Sequence, residues 1–261
     1  MAPTGPGGAS DRAGLVGVTI GGKFVLREVI SSGGMGTVYR ADQLALGRTV
    51  AVKVLKGELA RDDEMVRRFH SEARAASRLN HPNTISIIDF GQTPEGLLFL
   101  VMEFVRGCTL RDVLRDEFPL PRARLLELMR QLLEGLQEAH SQGVIHQDIK
   151  PDNVLILRLS TGRDLVKLTD FGIARLAGVA AAEGELVAGS FHFMAPEQAY
   201  GGPPDPRSDL YALGTTWYYA LTGEPPYPGS AMDALVRHRD EEVPEVRRLC
   251  PAHVVPDRVG A

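Results

Sequence analysis

The chain has 261 residues, 44% of them hydrophobic and 24% charged, with a formal net charge of -4. That hydrophobic share fits one folded domain of two lobes, or two small domains, and the slightly acidic balance argues against nucleic acid as a partner. Cys108 and Cys250 stand far apart without metal-ligand spacing, so neither a disulfide framework nor a zinc site is indicated, and no stretch approaches the roughly 18 apolar residues of a membrane span. A cytoplasmic protein is expected.

Residues 1–20, rich in Gly, Pro, Ala and Ser, carry too few large apolar groups to offset the entropy of ordering and read as a flexible tail. From Phe24 the pattern changes to short apolar alternations broken by glycine, over 24–30, 37–40 and 49–55, which predicts three strands joined by tight turns. Asp62, Asp63 and Glu64 place negative charge where a helix would begin. Met65, Phe69, Ala73, Ala76 and Leu79 then recur at helical spacing until Asn80-His81-Pro82 stops the run. Two further strands, over 85–90 and 97–104, complete a first lobe of five strands and one helix, spanning about 21–104.

Beyond Gly107 the periodicity is mainly helical. Leu125, Met129, Leu132, Leu133, Leu136 and Ala139 form one stripe wide enough for a helix deep in a core. A strand, a turn at Ser160-Thr161-Gly162 and another strand over 165–168 interrupt this second lobe, spanning about 105–261. A last helix is predicted over 230–238. The class is α+β.

Several residues carry chemistry. Ser32-Gly33-Gly34-Met35-Gly36 lies between the first two strands, where unobstructed backbone N–H groups can close over phosphate oxygens, although a plain glycine hairpin has the same appearance. Lys53 is a lone cation on a half-buried apolar strand and needs a partner, for which Glu72 in the middle of the following helix is suited. The deciding segment is His146-Gln147-Asp148-Ile149-Lys150-Pro151-Asp152-Asn153, followed by Asp170-Phe171-Gly172 and Ala195-Pro196-Glu197.

These motifs, in this order and at these separations, resemble the eukaryotic-like protein kinase superfamily over residues 24 to about 240, and most closely its bacterial serine/threonine branch. The resemblance implies a bilobal fold and transfer of the γ-phosphoryl group of ATP to a Ser or Thr hydroxyl of a protein. It assigns Asp148 as the base, Lys150 to charge on the γ-phosphoryl group, and Asn153 with Asp170 to Mg2+ or Mn2+. ATP would further contact Ile30, Gly33, Gly34, Gly36, Lys53 and Glu72. Its adenine would lie between Val38 and Ala51 on one side and Leu155 on the other, with Met102 behind and the backbone of Glu103 and Val105 at its edge. Ser190 would bridge Asp148 and Lys150, and Asp209 would brace the catalytic loop, unless it is simply a helix cap.

The chain also departs from the family. Gln147 replaces an arginine that receives an activating phosphate, and 173–188 contains no Ser, Thr or Tyr, so activation without phosphorylation of this loop is expected. Ser31 replaces a glycine and Phe191 a proline. The stretch 242–261 shows no helix of the type that brings an arginine to Glu197, so the family's final helices look missing and Glu197 is expected to be an unpaired, partly buried carboxylate. A nucleotide-binding pseudokinase is the alternative reading, and a small-molecule kinase a more distant third.

Overall fold

The computed structural model describes residues 14–33, 36–55, 62–171, 191–203 and 205–249. Two compact units divide the chain: of the described residues, those up to Ser77 and Ser86–Phe104 form one, and Arg78–Ile85 with Val105 onward form the other.

The first unit is an antiparallel sheet and one helix. Its strands are β1 (Thr19–Ile20), β2 (Phe24–Gly33), β3 (Gly36–Gln43), β4 (Arg48–Leu55), β5 (Ile87–Gln92) and β6 (Leu98–Glu103), ordered β1-β2-β3-β4-β6-β5. The sixth strand was not anticipated. Residues 14–20, read as tail, are drawn in because Ile20 is 1% exposed in the same core as Phe24, Leu26, Tyr39, Val52 and Val101, with Leu15 packed against it. The segment carries Leu15, Val16, Val18 and Ile20, and burying Ile20 with Leu15 packed beside it suffices to order it. Helix α1 (Asp63–Ala76) starts where expected, since the Asp62 side chain accepts from the Glu64 N–H, and it buries Phe69, Ala73 and Ala76. Its Phe69 ring meets Phe90 of β5 edge-on at 6.5 Å.

The second unit holds β7 (Cys108–Thr109), β8 (Val154–Arg158) and β9 (Asp164–Leu168) in one small sheet. Its helices are α2 (Leu110–Glu117), α3 (Arg122–Ser141), α4 (Pro196–Ala199), α5 (Pro206–Thr222), α6 (Ala231–Asp240) and α7 (Val246–Leu249). The hairpin β8–β9 matches the sequence pattern, whereas the two-residue β7 carries no periodic signal. Along α3 the buried face is Leu125, Leu128, Gln131, Leu132, Gly135, Leu136 and Ala139, while Leu133 of the expected stripe is 44% exposed. Gln131 is tolerated there because every bond it needs is supplied: it donates to Asp164 O and accepts from Val166 N and from Asn83. Those bonds explain why 78–85 belongs here and not to the first unit, as the sequence suggested. Asn83 also donates to Val166 O, and Ile85 N–H donates to Leu168 O at 2.8 Å.

Candidate active site

In the second unit the segment 144–150 has no regular structure, and its backbone is held by side chains instead. Asp209, 1% exposed in the first turn of α5, accepts the N–H of His146 at 2.8 Å on one oxygen and that of Gln147 at 2.7 Å on the other. His140 approaches with Nε2 2.7 Å from the same carboxylate. Asp209 is therefore a brace and not the cap of its helix, a role taken by Asp205. Gln147 stands in the left-handed region at φ 66°, costly for a residue with a Cβ, and its carbonyl is fixed by the amide of Gln198 at 3.2 Å.

His146 is fully buried. Its Nδ1 accepts the Asp148 N–H at 3.3 Å and its Nε2 lies 2.9 Å from the Thr169 carbonyl, which can only accept. The ring is therefore neutral with its proton on Nε2, in keeping with burial that pushes its pKa below the usual 6.5. Through Thr169 the same ring positions Asp170, and it packs on Phe171 at 4.6 Å. Thr169 N–H donates to Asn153 O at 3.0 Å, and Asp170 also lies in the left-handed region, at φ 61°.

Asp148, Lys150 and Asn153 come together. The Lys150 ammonium donates to both Asp148 oxygens at 3.0 and 2.8 Å, and the Asn153 amide nitrogen donates to the Asp148 carbonyl at 2.7 Å and its carboxylate at 2.8 Å. Both acceptors demand nitrogen, so the amide orientation is decided and its oxygen points elsewhere. Leu155 is half-buried on β8, and Val105 is half-buried with its carbonyl accepting from Gly107 N–H at 3.1 Å.

In the first unit Lys53 sits on β4, opposite Val38 of β3 and Leu100 of β6, and Ala51 lies opposite Met102, both nearly buried. The Glu103 N–H is committed to Ser86 O at 3.0 Å, so only its carbonyl could serve the adenine edge. A register shift between Val29 and Ser31 leaves Ile30 as the extra residue of a bulge, 48% exposed, next to the exposed Ser31. Gly36 must be glycine, because a Cβ there would meet the Val54 carbonyl oxygen at 2.2 Å, whereas one on Gly33 would meet nothing within 4 Å. The expected pair of Lys53 with Glu72 is not found: among the described residues no ion pair joins them, and Glu72, half-buried on α1, has its pKa pushed up to about 7 by burial, with Arg68 opposing. Gly34 and the stretch 172–190, including Ser190, lie outside the described residues.

The fold and the order of these motifs agree with a match of residues 24–257 to the family model described as protein kinase domain. The chain belongs to the protein kinase family. Among curated relatives, the kinase domain is 44% identical over 242 residues to serine/threonine-protein kinase pkn3 of Myxococcus xanthus, covering 90% of this chain and 44% of that protein. It is 39% identical to PrkC of Bacillus subtilis, covering 91% of this chain and 36% of that protein, and 41% identical to PknA of Mycobacterium tuberculosis, covering 92% and 56%. The chain thus spans about half the length, or less, of these relatives. Crystal structures of the Mycobacterium tuberculosis PknI kinase domain superpose with a TM-score of 0.70 at 29% identity, covering 90% of this chain and 84% of that one.

The expectation for Glu197 needs correction. Glu197 is exposed and its carboxylate accepts the Ser208 hydroxyl, so it is neither orphaned nor costly. Within 242–249 the described residues form only the short α7. The sequence reading also missed Gln198, which ties Gln147 to the turn at Ala195, and the neutral His146 that links Asp148 to Thr169. The bonds that give them these roles reach far along the chain, from Gln198 to Gln147 and from His146 to Thr169.

Proposed function

We propose that this kinase domain transfers the γ-phosphoryl group of ATP to serine or threonine hydroxyls of protein substrates. The observation that carries this reading is the cluster of Asp148, Lys150 and Asn153. A carboxylate fixed by two donors keeps lone-pair directions for an acceptor hydroxyl, whose proton it would take. The lysine beside it would move only slightly to meet phosphoryl oxygens, because the reaction depends mainly on positioning and charge neutralisation. Lys53 would hold phosphate charge under a cover made by Gly33, Gly34 and Gly36. Ile30, Val38, Ala51, Met102 and Leu155 would supply the apolar contacts to adenine, with the backbone of Glu103 and Val105 at its edge.

Asn153 and Asp170 fit a hard divalent cation, Mg2+ or Mn2+. The Asn153 amide nitrogen is committed to Asp148, which turns its oxygen outward as a ligand atom. When bound, the ion would neutralise triphosphate charge.

Activity should not depend on phosphorylation of the loop after Gly172, since 173–188 has no hydroxyl residue and Gln147 cannot receive a phosphate. A second reading, a nucleotide-binding pseudokinase, is favoured by Ser31 and Gln147. Incubation with Mg2+, γ-labelled ATP and a mixture of acidic and basic carrier proteins separates the two. The kinase reading expects label on serine or threonine, and saturable ATP binding with no label would establish the second reading in its place.

A further inference from the structure

We propose that Arg111 sets the charge preference for substrates: it occupies the carboxylate of Asp152, so that the domain gains nothing from a basic residue near the acceptor Ser or Thr. This rests on reading Asp148 as the group that faces the acceptor hydroxyl. Asp152 lies in the chain between Lys150 and Asn153, both bonded to Asp148, so it is the next acidic group along the catalytic segment. Its side chain is 43% exposed and therefore open to a peptide.

Its two oxygens are nevertheless taken. Arg111 Nε and Nη2 bind them at 2.7 and 2.8 Å in a bidentate fork. The guanidinium also lies over the Tyr219 ring, 5.5 Å from its centroid, and Tyr219 in turn meets Phe193 edge-on at 5.9 Å. Arg111 is thereby held by α5 as well as by Asp152, and the string ends in the turn just before Ala195-Pro196-Glu197. Its own helix does not favour it there. Arg111 stands in the first turn of α2, where the helix dipole opposes a cation, so the position is compensated by the carboxylate. A substrate arginine would have to displace a cation that is already seated, covalently tethered and backed by an aromatic ring, and would gain little. Removing Arg111 leaves an exposed negative charge with nothing opposite; removing Asp152 leaves an exposed positive one.

The test uses fluorescent serine peptides carrying Arg, Ala or Glu at each of the three positions on either side of the acceptor. Binding to the full chain is followed by anisotropy, with phosphoryl transfer measured in parallel. For the wild type, Arg and Ala peptides should bind within about twofold of one another. In Arg111→Ala the Arg peptide should be favoured about tenfold at one or more positions, the scale of a charge-assisted hydrogen bond. Adding Asp152→Asn to that variant should abolish the gain. Asp152→Asn alone should shift preference the opposite way, toward Glu peptides. A wild type that already selects Arg peptides, an unchanged preference in both single variants, a gain that survives in the double variant, or no peptide binding at all would overturn the proposal. Shifted binding with no transfer in any protein would leave it standing and refute the kinase reading instead.

Discussion

The two units hold their functional residues in different ways. In the second, the polar groups around Asp148 are cross-linked: Asp209 takes two backbone N–H groups, His146 joins Asp148 to Thr169, and Asn153 joins Asp148 to the strand that leads to Asp170. In the first, the glycine-rich ribbon presents Ile30, Ser31 and Gly33 to solvent, and Glu72 sits half-buried with no ion pair to Lys53. The residues around Asp148 are fixed by side-chain bonds, whereas the end of β2 is exposed. Preorganisation is thus concentrated where proton transfer would occur, since a misplaced base costs more than a glycine loop that closes on binding.

Breaking the first unit at its cation should have the larger effect on activity. Lys53→Met is expected to lower phosphoryl transfer by roughly 100-fold or more with the fold retained, because it would remove the charge proposed to hold phosphate from a half-exposed strand position. Kinetics beside a circular dichroism melt checks this, and equal activity in both proteins would show that the lysine has another role.

Next in size is the brace of the second unit. Asp209→Ala would leave the N–H groups of His146 and Gln147 and the His140 ring without their acceptor, a loss of about 3 kcal/mol, or roughly 6–10 °C in unfolding midpoint for a chain of this size. Amide exchange should rise at residues 146–148 first. Exchange rising equally in the β2–β3 ribbon would erase the contrast between the units.

The units should also titrate in opposite directions. Burial holds the folded pKa of His146 below 6.5, so between the two values the unfolded chain binds more protons, and stability is lost as pH falls below 6.5. For Glu72 the folded value is about 7 against 4.5 unfolded; the native state binds more protons in that window, and stability is lost as pH rises through it. Glu72→Gln should therefore unfold at higher urea than the wild type at pH 8 and at the same urea near pH 4.5. A difference of the reverse sign would mean that Glu72 is paired in solution.

How far the sequence reveals this arrangement depends on whether the signal is local. Periodicity places β2 to β6, α1 and α3, and the Asp62 cap marks the start of α1, because each is decided by neighbours within a few residues. The motif order 148–153, 170–172 and 195–197 points to the family by itself. What escapes is long-range: Ile20 is recruited by a core assembled from later strands, and Arg111 meets Asp152 across 41 positions. The partner proposed for Lys53 fails for a different reason. Sequence spacing puts Glu72 on the correct helix, but whether its carboxylate reaches a strand cation depends on how that helix is seated, which no local pattern encodes.

The central claim is that the Asp148 carboxylate, already fixed by Lys150 and Asn153, is the base for phosphoryl transfer. Single-turnover transfer from γ-labelled ATP to a serine peptide, with nucleotide affinity measured alongside, compares the wild type with Asp148→Asn most directly. The rate should fall by about 100- to 10,000-fold while ATP affinity stays within a few-fold, as expected for loss of a general base. Transfer at the wild-type rate by Asp148→Asn would contradict the account.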